Sequence, residues 1–298
     1  MNGKISLGVD IGGTFAKFGI ANPLGNVIYR ESIPTNGKPC DELISEIGKK
    51  CSEIAARYDI SCVGFGIPGS VTGDIVYTDN LPLKNINFKE RIQKYISLPV
   101  YVKNDADCAA LGEVKCGSIG ARNLIMITIG TGIGGGIITN GKIYSGRGAA
   151  GEIGHLSTDR NGPLCSCGQR GCWEHYASAR ALAKRAAAAC AADENGILND
   201  MYKASGGVMN GKIFFDALES GCELAHSVFE KYMDDVEVGV RSLINIFDPD
   251  AVIFSGGIMN RGDVFIKNLR GRIKTDVKLG ISTLGSDAGI IGAALLGD

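Results

Sequence analysis

The chain has 298 residues, enough for one large or two medium domains, and 45% hydrophobic content supports a substantial core. Its 31 basic and 32 acidic residues nearly cancel, and no block of like charge stands out, which argues against a nucleic-acid or membrane-surface partner. The start, Met1-Asn2-Gly3-Lys4, has no signal-peptide core and no stretch is long enough to span a bilayer. Ten cysteines in such a chain point to a reducing cytoplasm and not to a disulfide framework.

In chain order, Ile5 to Val9 alternates as a strand, Asp10 to Thr14 turns, and Phe15 to Ile20 resumes a strand, a hairpin with a glycine elbow. Val27 to Ile33 makes a third strand. Asp41 to Tyr58 reads as a helix, with Leu43, Ile44, Ile47, Cys51, Ile54, Ala55 and Tyr58 on one face and Asp41 as N-cap. Cys62 to Ile67 is a buried strand ending at Pro68-Gly69. Val100 to Lys103 is another, ending at Asn104-Asp105, where a helix begins and runs to about Gly117. The pattern then restarts. Asn123 to Ile129 is a strand, Gly130 to Gly135 a turn, Gly136 to Thr139 a strand, and Lys142 to Tyr144 a candidate third. Glu174 to Cys190 is an alanine-rich helix, and about Asp193 to Gly211 is expected to be loop. Ile213 to Glu219 and Cys222 to Phe247 are helices, Ala251 to Phe254 a strand, and Asp263 to Thr275 and Ala288 to Leu296 helices. This is an α/β layout in which two halves share one plan. It implies duplicated domains with a cleft between them: residues 1–106 with the C-terminal helix of about 288–298, and residues 107–287.

The densest chemical signal is Gly151-Glu-Ile-Gly-His155 followed by Cys165-Ser-Cys-Gly-Gln-Arg-Gly-Cys-Trp-Glu174. His155, Cys165, Cys167 and Cys172 form a complete tetrahedral set for a structural zinc ion. The single residue between Cys165 and Cys167 is shorter than the usual spacing of about two to four. The plain alternative is buried thiols packing as small hydrophobes, and that is how the other seven cysteines read. The carboxylates of Glu152 and Glu174, the His155 imidazole and Asn104 make a set of donors and acceptors suited to the hydroxyls of a sugar.

Two glycine elbows with a threonine, Gly12-Gly13-Thr14 and Gly130-Thr131-Gly132, each open one half of the chain. A third turn, Ser255-Gly256-Gly257, follows a strand. Such turns cradle phosphate through backbone N–H groups and a hydroxyl. They are neither a Walker A loop nor a dinucleotide-binding fingerprint. Asp10, beside the first elbow, suits magnesium held through water, or simply caps the turn. Lys17 reads as solvated. Asp105, where a strand gives way to a helix at the mouth of an open sheet, is the candidate general base; the plain alternative is an N-cap.

Taken together, Asp10-Ile-Gly-Gly-Thr14, Asn104-Asp105-Ala106, Gly130-Thr-Gly-Ile-Gly-Gly-Gly136, Gly151-Glu-Ile-Gly-His155 and Cys165-x-Cys-Gly-x-x-Gly-Cys-x-Glu174 resemble the bacterial ROK sugar kinases, over essentially the whole chain. The resemblance implies an actin-like, ribonuclease H-like fold of the hexokinase-like ATPase superfamily. It implies Asp105 as the base that takes a proton from a sugar hydroxyl, usually at C6. Asn104, Glu152, His155 and Glu174 would hold the sugar, with Gly66 and Gly69 nearby. His155, Cys165, Cys167 and Cys172 would bind zinc, and Gly12, Gly13, Thr14, Thr131, Gly132, Gly256 and Gly257, with Asp10, would form the ATP and magnesium site. The one-residue cysteine gap is then the family's own spacing.

The same resemblance implies a cytoplasmic glucokinase-like enzyme of carbohydrate metabolism, of the glycolytic kind, assembled as a homodimer or homotetramer. Glu152 favours glucose. The alternatives are a kinase for N-acetylmannosamine, N-acetylglucosamine, allose or fructose, or a sugar-binding regulatory protein without catalysis. The family's repressors carry a DNA-binding helix-turn-helix ahead of the first elbow, for which the first strand, starting at about residue 4, leaves no room.

Overall fold

The structure, a computed structural model, describes residues 4–192 and 195–298. Asp193 and Glu194, at the start of the expected 193–211 loop, lie outside the described residues.

The first elements follow the alternation of the sequence. Strands β1 (Ile5–Ile11) and β2 (Phe15–Ala21) pair antiparallel with Asp10 opposite Lys17, and β2 pairs antiparallel with β3 (Val27–Pro34). Leu7, Val9 and Ile11 are fully buried, whereas β3 is only half-covered along its length and carries Arg30 and Glu31, as an edge strand should. Helix α1 (Cys40–Arg57) buries Leu43, Ile44, Ile47, Cys51 and Ile54 on one face. Its N-cap is Pro39, without a side-chain bond, and not Asp41. Asp41 instead sits in the first turn, where its charge suits the helix dipole, and pairs with Arg91.

Strand β4 (Ile60–Ile67) leads into three short strands, β5 (Ser70–Thr72), β6 (Ile75–Tyr77) and β7 (Ile86–Asn87), which form a small sheet of their own. Helix α2 (Phe88–Ile92), strand β8 (Val100–Asn104) and helix α3 (Asp105–Cys116) come next. The first large sheet runs β3-β2-β1-β4-β8, with β1, β4 and β8 parallel.

The second half repeats the scheme. Strands β9 (Leu124–Ile129), β10 (Ile133–Thr139) and β11 (Lys142–Ile143) precede helices α4 (Glu174–Ala177), α5 (Ala179–Ala192), α6 (Ile197–Ala204), α7 (Gly211–Glu219) and α8 (Glu223–Phe247). Then come β12 (Ala251–Ser255), α9 (Gly262–Arg272), β13 (Lys278–Ile281) and α10 (Ala288–Ala294). The second sheet runs β11-β10-β9-β12-β13, with β10 and β11 antiparallel and β12 and β13 parallel. One strand order used twice is the duplicated α/β plan expected from the motifs.

Four local expectations need correction. Strand β10 begins at Ile133 and not at Gly136, so most of the glycine run is strand. A Cβ on Gly136 would stand 2.4 Å from the Ala106 carbonyl oxygen, which is why a side chain is missing there. The expected helix from Glu174 to Cys190 is broken at Ser178, which is extended (φ −76°, ψ 163°) and whose Oγ accepts from Ala181 N at 3.1 Å, capping a new helix. Part of the expected loop is α6, and β13 has no counterpart among the elements expected from the sequence. Of the seven cysteines read as core, Cys40 and Cys116 are only half-buried.

The chain divides into two compact units: residues 1–126, 136–151 and 282–298, and residues 127–135 and 152–281. The division at 106 drawn from the sequence rests on motif repetition and is a different partition. In the first unit α10 lies directly on backbone. A Cβ on Gly8 would meet the Ile290 carbonyl at 2.0 Å, one on Gly64 the Ala293 carbonyl at 1.8 Å, and one on Gly292 the Cys108 carbonyl at 1.6 Å. In the second unit Trp173 is fully buried against α8, where Gly239 makes room for the indole, and Trp173 Nε1 donates to the Asp235 carbonyl at 2.8 Å. Among the described residues no helix is long and apolar enough to cross a membrane.

Candidate active site and candidate metal-binding loop

In the first unit the parallel strands bring the candidate residues to one edge. Asp10 on β1 is in register with Gly66 on β4, and Ile67 with Asn104 at the end of β8. Asp10, Gly66 and the Asn104-Asp105 pair thus stand at the carboxyl ends of adjacent strands, where open α/β sheets bind ligands. Asn104 takes the N-cap of α3, its Oδ1 accepting from Ala106 N at 2.8 Å and Asp107 N at 3.2 Å. Its Nδ2 donates to the Gly69 carbonyl at 2.9 Å. Asp105 is therefore not the cap. It is the first helical residue, with Oδ1 accepting from Ala106 N at 2.9 Å. Gly69 has φ +89°, and a Cβ there would meet the Tyr77 carbonyl at 2.4 Å, so only glycine fits.

Asp10 is mostly buried. Burial raises its carboxyl above the ordinary aspartate value, and Lys17, whose Nζ lies 3.9 Å away, pulls it back down. Lys17 is thus a partner of Asp10 and not merely solvated. Gly289, at the start of α10, backs the carboxylate: a Cβ there would stand 3.0 Å from Asp10 Cγ. Beneath Asp105, burial raises the Cys108 thiol well above its ordinary value, with Asp107, Asp105 and Asp10 adding to the effect; this is a packing thiol and not a nucleophile. The elbow after β1 is closed by Gly12 N donating to the Phe15 carbonyl at 2.8 Å and by Thr35 Oγ1 donating to the Gly12 carbonyl at 2.7 Å. Gly13 and Thr14 are exposed, and a Cβ on Gly13 would meet nothing within 4 Å.

In the second unit, Gly130 N donates to the Gly132 carbonyl at 3.0 Å, and Ala179 N, at the start of α5, donates to the Gly130 carbonyl at 3.0 Å. Gly256 (φ +102°) would place a Cβ 2.2 Å from the Ile129 carbonyl, so the third glycine turn abuts the end of β9, from which the second elbow springs. Gly256 thus lies against the end of β9, two residues before Thr131. The second elbow also reaches the residue that follows the cysteine loop, since a Cβ on Gly132 would meet Glu174 Oε2 at 2.5 Å.

The loop itself gathers His155, Cys165, Cys167 and Cys172, whose ligand atoms all lie within 4.8 Å of one another. Cys165 Sγ is 3.6 Å from His155 Nδ1, and Cys167 Sγ is 3.5 Å from Cys172 Sγ. A tetrahedral ion with metal–sulfur bonds of about 2.3 Å separates its ligands by about 3.8 Å, so the four atoms fit a single metal ion. Gly168 (φ +90°) and Gly171 (φ +66°) allow the sharp turns, and Trp173 N donates to the Leu156 carbonyl at 2.8 Å to close the loop. Glu174 stands next to the ligands, its Oε1 3.7 Å from Cys165 Sγ and 3.9 Å from His155 Nδ1. Glu152 is exposed and precedes the short 3-10 turn Ile153–His155.

Two participants carry little signal in the sequence. His175 forms a second possible metal grouping with Cys165 and Glu174; its place directly after Glu174 is the one hint. Gly289 is hidden in an apolar run, where only its spacing from Gly292 suggests close packing.

Residues 6–298 match the ROK family. The glucokinase of Streptomyces coelicolor is 33% identical over 306 residues, covering 97% of this chain and 96% of its own length. The crystal structure of a ROK family glucokinase from Streptomyces griseus in complex with glucose and AMPPNP matches with a TM-score of 0.80 at 31% identity, over 97% of this chain and 98% of that one. The xylose repressor of Bacillus subtilis is 31% identical over 91% of this chain and 69% of its own length. By the match over residues 6–298, and by its likeness to the Streptomyces coelicolor glucokinase over nearly the whole of both chains, the chain belongs to the ROK family.

Proposed function

We propose that this protein is an ATP-dependent hexose kinase that phosphorylates glucose at its 6-hydroxyl. The observation that carries the reading is Asp105 at the first turn of α3, with Asn104 as cap and Asp10 on the same strand edge. The likeness to kinases that are named for glucose supports it.

In this reading Asp105 accepts the proton of the 6-hydroxyl as that oxygen bonds to the γ-phosphorus and ADP leaves. The transition state is loose, and catalysis is mostly positioning and charge stabilisation. Asn104, Glu152, His155 and Glu174 hydrogen-bond to the sugar hydroxyls, with Gly66 and Gly69 beside it. Glu152 favours glucose over N-acetylated sugars. The backbone N–H groups of the three elbows, with Thr14 and Thr131, hold the nucleotide's phosphates. Magnesium, when bound, neutralises charge on those phosphates. Asp10 is the carboxylate to hold it through water: it is largely desolvated, and its raised carboxyl gains from a nearby cation. We assign zinc to the His155, Cys165, Cys167 and Cys172 set, as a closed structural site. The free state of all ten cysteines supports a reducing, cytoplasmic setting.

The test is ADP release, coupled to a dehydrogenase signal, over glucose, fructose, allose, N-acetylglucosamine and N-acetylmannosamine. Highest kcat/KM on glucose is expected. Turnover on none of them would overturn the kinase reading in favour of a sugar-binding regulator.

A further inference from the structure

Glu113 is a buried carboxylate that the proposed reaction does not use. It is 1% exposed and lies in the last turn of α3, where the helix dipole disfavours negative charge. Three donors compensate: Ser282 Oγ at 2.6 Å and Leu284 N at 2.8 Å to Oε1, and Thr283 Oγ1 at 3.0 Å to Oε2. Ser118 N in turn donates to Thr283 Oγ1 at 3.2 Å. Gly117 leaves the space, since a Cβ there would stand 2.3 Å from Glu113 Oε2. One side chain thereby fastens three consecutive residues.

Those three residues lead, through the short turn Gly285–Asp287, into α10. The second residue of α10 is Gly289, whose missing Cβ admits the Asp10 carboxylate. Along the same face α10 rests on α3 backbone, with Gly112 against the Ala288 carbonyl (a Cβ would be at 2.7 Å) and Gly292 against that of Cys108. The start of α10 is thus held at two places, by glycine packing along the helices and by Glu113 at the entry. The glycine packing fixes the separation of the helices; the Glu113 bonds fix where the first turn of α10 begins.

We propose that Glu113 is a positioning residue for Asp10: by anchoring Ser282, Thr283 and Leu284 it sets the first turn of α10 under the Asp10 carboxylate, and so sets the affinity for magnesium-nucleotide. The inference rests on the kinase reading, in which Asp10 serves the nucleotide's metal. The hydrogen bonds of Glu113 go to Ser282, Thr283 and Leu284 and not to the candidate sugar residues, so hexose affinity is expected to be independent of it.

The experiment is calorimetric titration of wild type, Glu113→Ala, Glu113→Gln and the double variant Ser282→Ala/Thr283→Val with MgADP, and separately with glucose. Loss of hydrogen bonds to a buried carboxylate predicts that Glu113→Ala binds MgADP about tenfold more weakly, with glucose affinity within about twofold of wild type. Glu113→Gln recovers most of the loss, because its amide oxygen still accepts from Leu284 N and its amide nitrogen can donate to the Thr283 hydroxyl. The double variant removes two donors without deleting the acid and weakens MgADP in the same direction, which keeps the test decisive if Glu113→Ala does not fold. Unchanged MgADP affinity in a folded Glu113→Ala or in the double variant overturns the proposal, as does a parallel loss of MgADP and glucose affinity. Wild type binding neither ligand overturns the kinase reading instead.

Discussion

Gly132 and Glu174 stand against each other: a Cβ on Gly132 would lie 2.5 Å from Glu174 Oε2 and would meet nothing else closer than Glu174 Cδ at 3.7 Å. A phosphate-type elbow and the helix that leaves the cysteine loop therefore share one contact. Gly132 is not in the left-handed region, so alanine costs its backbone nothing. The added methyl has only the end of a flexible side chain to displace. Gly132→Ala is expected to keep its melting temperature and to raise the glucose KM about tenfold by turning Glu174 away from the sugar, the loss of roughly one charged hydrogen bond. A steady-state comparison at saturating ATP checks this, and an unchanged glucose KM would remove Glu174 from the sugar site.

Asp105→Asn is expected to fold and to bind both ligands. Its side-chain oxygen can still accept from Ala106 N, and Asn104 retains the cap of α3. The variant loses the ability to take a proton, so kcat should fall by about 10²- to 10⁴-fold. Binding by calorimetry and turnover by ADP release, measured on the same preparation, check the two halves of the expectation. Normal turnover would move the base elsewhere.

Much of the fold and site is readable from residue order alone, and the reasons differ by element. The alternation of β1 and β2, the apolar stripe of α1 and the His155/Cys165/Cys167/Cys172 set are local patterns, and local patterns survive folding. The three strands β5, β6 and β7 are too short to show a period, and β13, Lys-Leu-Gly-Ile, has a glycine where a strand residue is expected. The break at Ser178 is masked by surrounding alanines that favour helix, although serine is itself a capping residue. Contacts such as Gly132 with Glu174, Gly289 with Asp10 and Glu113 with Ser282 join residues far apart in the chain, and no local period encodes them.

Cys167→Ser separates metal binding from packing, because Cys167 is exposed while Cys165 and Cys172 are buried. Under the zinc assignment, losing one of four ligands opens the set, and the loop's shape would follow the loss of the ion. Elemental analysis of freshly purified protein is expected to find about one zinc per wild-type chain and much less in the variant. Glucose affinity should drop with it, because Glu174 lies 3.7 Å from Cys165 Sγ, while nucleotide affinity stays unchanged. Wild type without zinc would count against the structural metal.

Asp10→Asn is expected to trade activity for stability, with a pH dependence of definite sign. Burial raises the folded-state carboxyl above the ordinary aspartate value of 3.8, against the smaller pull of Lys17. Below the unfolded-state value both states hold the proton and burial costs no charge. As pH rises through the folded-state value the buried group ionises, and the stability it carried as a neutral acid is lost. Asparagine resembles the protonated form at every pH. The variant should therefore melt above wild type at pH 7, by a margin that shrinks as pH falls and vanishes near and below 3.8. It should also lose turnover, since the amide offers no charge to a magnesium ion held through water. Thermal melts across pH 3 to 8 without ligand, paired with ADP-release assays at pH 7, make the comparison. A variant less stable than wild type at neutral pH would mean that Lys17 outweighs burial, and that Asp10 is held charged by the fold and not by the metal it is assigned to bind.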